Sequence, residues 1–459
     1  MATRLSIALL IASACVVLPA AAGQTPVYKL LYSPPQGANV GLPSAILEGR
    51  PGLFYVMGSL NSNTFGATVF SLTSTGTFTS IYALPPYTSS NTLAQGTNGL
   101  LYGPASYLGG PGTPTNYYYS VSTSGKNFKQ YPLPGTYPNQ WGSLLNETMT
   151  VPPAQLYDIV YMMVGNSRVY AFAELQQSGK FSILHQFTGS EGVATGGNLA
   201  YAADGNIYSI GNQQSGGFQP GFIFRFTLGG AYSQLVSFPQ PFAPIAQPLV
   251  AASDGNLYAA LSSGGANNTG QIFQATLSGQ LKTVANFPAK GVHGPAIMMQ
   301  AADGNLYGTT TSNAVFRYDL ATGQLSRVYQ FNPAAAGQPN CPCPLIEGMD
   351  GKLYGVSAVG GNFPGDGAVF SLDIGLPKPL PVVTGMFPAS GPVGQKVILW
   401  GNYLLGLKSV SFNGTIATGP VPTSAQSVLV TVPTGATTGP VTINTINGSF
   451  TTTQSFTVQ

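Results

Sequence analysis

Short apolar runs alternate with Gly-, Asn- and Ser-rich turns along nearly the whole chain, and no mature stretch keeps apolar positions at helical spacing. That pattern predicts strands rather than helices. Residues 248–287 show the unit most clearly. Residues 248–253 are small and apolar, and Asp254-Gly255 follows as a two-residue hairpin signal. Residues 257–262 read as a second strand, 264–270 as a loop, 271–277 as a third strand, and 281–287 as a fourth after Ser278-Gly279.

The unit repeats. Asp254-Gly255-Asn256-Leu257-Tyr258 returns around Tyr208, Tyr307 and Tyr354, with weaker copies ending at Tyr55 and Tyr102 and a degenerate one at Tyr157. These seven tyrosines lie 47 to 55 residues apart. Four short antiparallel strands at a period near fifty make one propeller blade, so a seven-bladed β-propeller is expected. The seventh unit offers only three strands, at 345–349, 353–358 and 368–374. An open edge invites wrong pairing. Val27–Tyr32, followed by Ser33-Pro34-Pro35, resembles residues 81–84 followed by Pro85-Pro86, so the N-terminal strand is expected to complete the last blade.

Composition narrows the function. Only 6% of residues are charged, with 16 Lys+Arg against 13 Asp+Glu, where a soluble domain carries about 25%. With no basic run to displace counterions, a nucleic-acid partner is excluded. At 44% hydrophobic and 11% aromatic the chain can bury a core, which excludes disorder. Residues 1–22 read as a secretory signal: Arg4, an apolar run over 5–18, and Ala20-Ala21-Ala22 before the cut. The run is shorter than the ~18–20 residues of a span. The mature chain is thus expected outside the cell, secreted or at the surface, with no transmembrane span. It keeps Cys341 and Cys343, for which export permits a disulfide without requiring one. Two cysteines without a nearby histidine make a poor zinc site, so neither metal nor cofactor is expected.

After a linker at 376–380, residues 381–459 change character, with Lys396 and Lys408 as their only charges. Phe387-Pro388-Ala389-Ser390-Gly391-Pro392-Val393-Gly394, then Val397-Ile398-Leu399-Trp400-Gly401-Asn402-Tyr403-Leu404 and Val410-Ser411-Phe412-Asn413-Gly414 resemble the IPT/TIG family in order. Val430-Thr431-Val432-Pro433 and Gly439-Pro440-Val441 continue the match. The resemblance implies an immunoglobulin-like sandwich serving as an extracellular spacer or assembly module. Residues 24–375 resemble the bacterial GloVer tandem repeat of choice-of-anchor proteins. Asp303 to Gly308 carries its D-G-N-L-Y-G motif, and Gly367-Ala368-Val369-Phe370 its third-strand motif. That resemblance brings no catalytic residues.

No Gly-x-Ser-x-Gly elbow is present. Glu48, Glu147 and Glu347 fall on or beside inner strands and could face one channel, whether as a glycosidase pair or a polysaccharide- or lactone-processing site, as a cation site, or as unrelated edge residues. The motif aspartates read as turn formers. Loop aromatics offer a second possibility. Tyr137, Trp141, Phe218 and Phe242, with His293, are expected around one mouth of the channel, where rings among amides suit sugar faces. A non-catalytic binding protein with a glycan or cell-envelope ligand is the expected function, and an exported enzyme the alternative.

Overall fold

The computed structural model describes residues 24–35, 42–59, 66–107, 116–132, 149–151, 155–164, 167–188, 191–194, 199–212, 220–241, 249–341, 343–362, 365 and 367–459. Among these the protein is all β, with no helix. Seven antiparallel sheets of four or five strands succeed one another over residues 27–373. The fifth runs Val250–Ala251, Asn256–Leu261, Gln271–Thr276, Leu281–Asn286, close to the unit expected from the sequence. The third, Met149–Val151, Gln155–Val164, Ser167–Gln176 and Phe181–Gln186, has the same order without the motif.

The seventh sheet joins the two ends of the repeat. Leu345–Glu347, Leu353–Ser357 and Ala368–Asp373 are followed in fourth place by Val27–Tyr32, antiparallel to Ala368–Asp373. The N-terminal strand copies even the irregularity of a normal fourth strand. In the first, fourth, fifth and sixth sheets the pairing skips one aliphatic residue opposite a third-strand Val/Ile-Phe pair: Ile81, Leu235, Val284 and Val328. In the seventh, Leu31 is skipped opposite Val369-Phe370. Such a bulge bends the strand and raises its twist.

The bulge also sets how neighbouring sheets meet. Gly279 and Gly230, both with positive φ, lie so near the carbonyls of Leu235 and Leu184 in the preceding sheet that a Cβ would collide. Gly76 of the first sheet stands in the same relation to Leu31, its would-be Cβ 2.7 Å from the carbonyl oxygen. The first sheet therefore packs on the N-terminal strand as later sheets pack on their predecessors.

The core is divided accordingly. Seven apolar clusters each combine two successive sheets, for example Phe172 with Phe226, stacked at 4.2 Å. One joins the seventh sheet to the first, placing Tyr354, Val356 and Val369 against Phe54, Val56 and Phe70. Burying each such side chain contributes roughly 1.5–3 kcal/mol. Cys341 and Cys343 form a disulfide. Cys343 exchanges two hydrogen bonds with Thr309, at 2.8 and 3.0 Å, tying this entry loop to the sixth sheet.

Beyond residue 381 two sheets pack face to face. Val382–Phe387, Lys396–Asn402, Ser427–Thr431 and Val421–Ser424 form one; Ser390–Gly391, Ser449–Val458, Gly439–Thr445, Leu407–Phe412 and Thr415–Ile416 form the other. Val397, Leu399, Val428 and Val430 meet Val410, Phe412, Val441 and Phe456 between them.

Candidate functional site

Glu48, Gln300 and Glu347 each stand seven residues before a motif tyrosine, close to the end of an inner strand. Each accepts a hydrogen bond from a backbone N–H of the neighbouring sheet. Glu48 Oε2 takes Met349 at 2.8 Å, Gln300 Oε1 takes Ser253 at 2.8 Å, and Glu347 Oε2 takes Ala302 at 2.7 Å. Met349, Ser253 and Ala302 stand five residues before their own motif tyrosines. One bond thus recurs at one repeat position, each sheet holding the sheet before it. Between the first and seventh sheets it spans 301 residues of chain.

In Glu48 and Gln300 the remaining atom also serves the hairpin. Glu48 Oε1 accepts from Gly52 N–H at 2.8 Å, while Gln300 Nε2 donates to the Gly304 carbonyl at 2.9 Å. Carboxylate and amide therefore suit the same turn with opposite polarity. Burial pushes the Glu48 carboxyl up to about 7, against the two N–H bonds that favour its charged form. Burial raises Glu347 too, opposed by hydrogen bonds from Tyr403 and Ala302.

Glu347 also anchors the C-terminal unit, since Tyr403 donates its hydroxyl to Glu347 Oε2 at 2.6 Å. Asn447 Nδ2 donates to the carbonyls of Met349, at 2.7 Å, and Pro379, at 3.1 Å. The two-sheet unit is thus docked on the inner-strand ends instead of standing clear of them. Between the two lies a cavity of about 1280 Å³. Its floor includes Glu48, Tyr201, Gln300 and Glu347; its roof includes Trp400 and Gln426.

Among the sequence-predicted residues, the structure brings Glu48 and Glu347 to this cavity. Glu147, Tyr137, Trp141, Phe218 and Phe242 lie outside the described residues. His293 precedes Pro295–Gln300, at the opposite end of that strand from Gln300, roughly 20 Å away at ~3.3 Å per residue. Its backbone N–H donates to Ser312 Oγ at 3.0 Å. His185 is packed in an outer strand, stacked on Tyr232 and 3.3 Å from Glu191.

The motif aspartates hold turns. Asp303 Oδ1 accepts from Asn305 N–H at 3.0 Å, and Oδ2 from Tyr307 hydroxyl at 2.8 Å; Asp204 and Asp254 repeat the arrangement. Asn98 does the same work as an amide, accepting from Leu100 N–H and donating to the Tyr102 hydroxyl at 2.8 Å. Asp303→Asn should therefore cost under about 1 kcal/mol, and Asp303→Ala about 1–3 kcal/mol through the orphaned donors. Denaturant unfolding of both variants checks this; an Asn variant as unstable as the Ala variant would contradict it. Among the described residues, no cluster of three or more His, Cys, Asp or Glu could hold a metal. Among the same described residues no helix is long and apolar enough to cross a membrane.

No curated protein matches the chain. Among solved structures it is similar to a fungal alcohol oxidase of the AA5 family in complex with copper, with a TM-score of 0.52 and 10% identity over 95% of this chain and 100% of that one. It is also similar to the WD40 β-propeller domain of Doa1 (TM-score 0.48, 10% identity, 75% and 96% covered) and to the polysaccharide lyase Uly1 (0.49, 13%, 72% and 89%). At such identities the likeness is one of fold. Residues 165–314 and 244–385 match the model of the Gloeobacter/Verrucomicrobia repeat, to which this part of the chain is similar.

Proposed function

We propose that the protein is a non-catalytic binding protein of the cell exterior. In this reading residues 24–375 form a seven-bladed β-propeller closed by Val27–Tyr32, and residues 381–459 an IPT/TIG-type sandwich that caps one mouth. The carrying observation is the commitment of Glu48 and Glu347 to backbone N–H groups of neighbouring sheets. A glycosidase pair must instead face substrate across a cleft and exchange protons with it. Both carboxylates here are over nine-tenths buried, at 6% and 8% exposure.

The uncapped mouth, where His293 and the loop aromatics of the sequence belong, is the recognition face. A glycan array probed with the mature chain, beside an assay for released reducing sugar, tests this. Retention without release is expected, and Trp141→Ala should weaken retention. Release of sugar by the mature chain would overturn the non-catalytic reading.

A further inference from the structure

The geometry points to a second site, independent of the uncapped mouth: the cavity beneath the C-terminal sandwich binds a neutral oligosaccharide. At about 1280 Å³ it exceeds the roughly 300–1000 Å³ of common small-molecule pockets and has room for several sugar rings. Among the described residues lining it, the only ionisable acids or bases other than tyrosine are Glu48 and Glu347, and both are tied into the inter-sheet bonds. No Lys or Arg lines it, so a phosphate or an acidic sugar would meet two carboxylates and no counter-charge.

What does line it suits hydroxyl-rich, uncharged rings. Tyr201 and Gln300 on the floor face a roof carrying Trp400, Asn402 and Gln426. Trp400 is a fixed platform. It pairs across the sheet with Gly385, where a Cβ would strike the indole, so the ring lies against that backbone. A held aromatic face takes the CH surface of a sugar, and amides at its rim take the hydroxyls. Tyr403 and Asn447 help hold the sandwich down over the cavity, which gives the docking contact a role in recognition.

The chain has two tryptophans, Trp141 and Trp400, which makes the test direct. In the full mature chain carrying Trp141→Phe, Trp400 is the sole indole emitter. Its fluorescence is titrated with maltohexaose, cellohexaose and laminarihexaose, and with hexagalacturonate as the acidic control. At least one neutral hexasaccharide should shift the emission saturably while hexagalacturonate does not. Asn402→Ala and Gln426→Ala, on the exposed rim, should each weaken that binding by about tenfold, the order of a lost hydrogen bond. No response to any neutral sugar, or an equal response to hexagalacturonate, overturns the site. So does a response that vanishes in Trp141→Phe yet persists in Trp400→Phe, which assigns the ligand to the uncapped mouth. Should Trp141→Phe fail to fold, calorimetric titration of the parent chain beside Asn402→Ala/Gln426→Ala decides: the neutral hexasaccharide must bind more weakly to the variant, and equal binding overturns the site.

Discussion

A chain lacking residues 24–32 should lose several kcal/mol of stability and melt at least ten or so degrees lower, or fail to fold. The deletion unpairs the whole edge of Ala368–Asp373. It also removes Tyr28, which packs on Tyr329, Phe331 and Phe370, and Tyr32, which stacks on Phe78 at 4.7 Å. Leu31, 8% exposed, leaves the cluster joining the first and seventh sheets. Leu31 represents roughly 1.5–3 kcal/mol of burial and each half-buried tyrosine adds less, partly offset by the entropy of ordering the strand. Natural domains hold only about 5–15 kcal/mol in all. Thermal and urea unfolding measure the loss, and a synthetic peptide of residues 24–32 should restore part of it. A truncated chain with the melting temperature of the mature protein would show that the proposed ring is not sealed by this strand.

Glu48→Ala should be nearly as damaging for one side chain, at about 2–4 kcal/mol. It orphans the N–H groups of Gly52 and Met349, and a buried donor without a partner costs about 1–3 kcal/mol. Glu48→Gln should cost less, because its amide oxygen keeps the Met349 bond as Gln300 keeps that of Ser253, although its NH2 then faces the Gly52 N–H. The carboxyl has a pKa of about 7 in the folded protein against 4.5 in the unfolded chain, so the fold binds its proton more tightly. Its contribution is therefore fully present below about pH 4.5 and declines as pH rises to about 7. The linked change is at most roughly 3 kcal/mol. Stability measured between those pH values should fall in the parent protein and fall less in Glu48→Gln. An unchanged slope would mean that Glu48 is not the buried acid described here.

The sequence carried the strand pattern, the period and the missing fourth strand, because all three depend on local alternation and on Gly-bearing turns. Val27–Tyr32 could be placed by counting strands, and its bulge at Leu31 follows from the same Val-Phe motif that bends the other sheets. The inter-sheet bonds were not legible. At the position of Glu48, Gln300 and Glu347 the other units have Gln95, Thr150, Tyr201 and Ala251, so four of the seven carry a carboxylate or amide there and three do not. The available signal was that Glu48, Gln95, Gln300 and Glu347 share an offset of seven from their tyrosines. The cavity was hidden for a different reason. It needs Tyr403 to reach Glu347 across 56 residues and a domain boundary, a contact no periodicity encodes. A sandwich read only as a spacer gave no reason to look beneath it.

The most direct measurement compares the chain from residue 24 onward with its Glu48→Gln/Glu347→Gln double variant, following stability from about pH 4 to 8 together with glycan retention and sugar release. If the two carboxylates fasten neighbouring sheets, the variant loses the decline in stability between about pH 4.5 and 7, retains its ligand, and neither protein releases sugar. A variant that keeps the parent's pH profile while a sugar-releasing activity of the parent disappears would contradict the account.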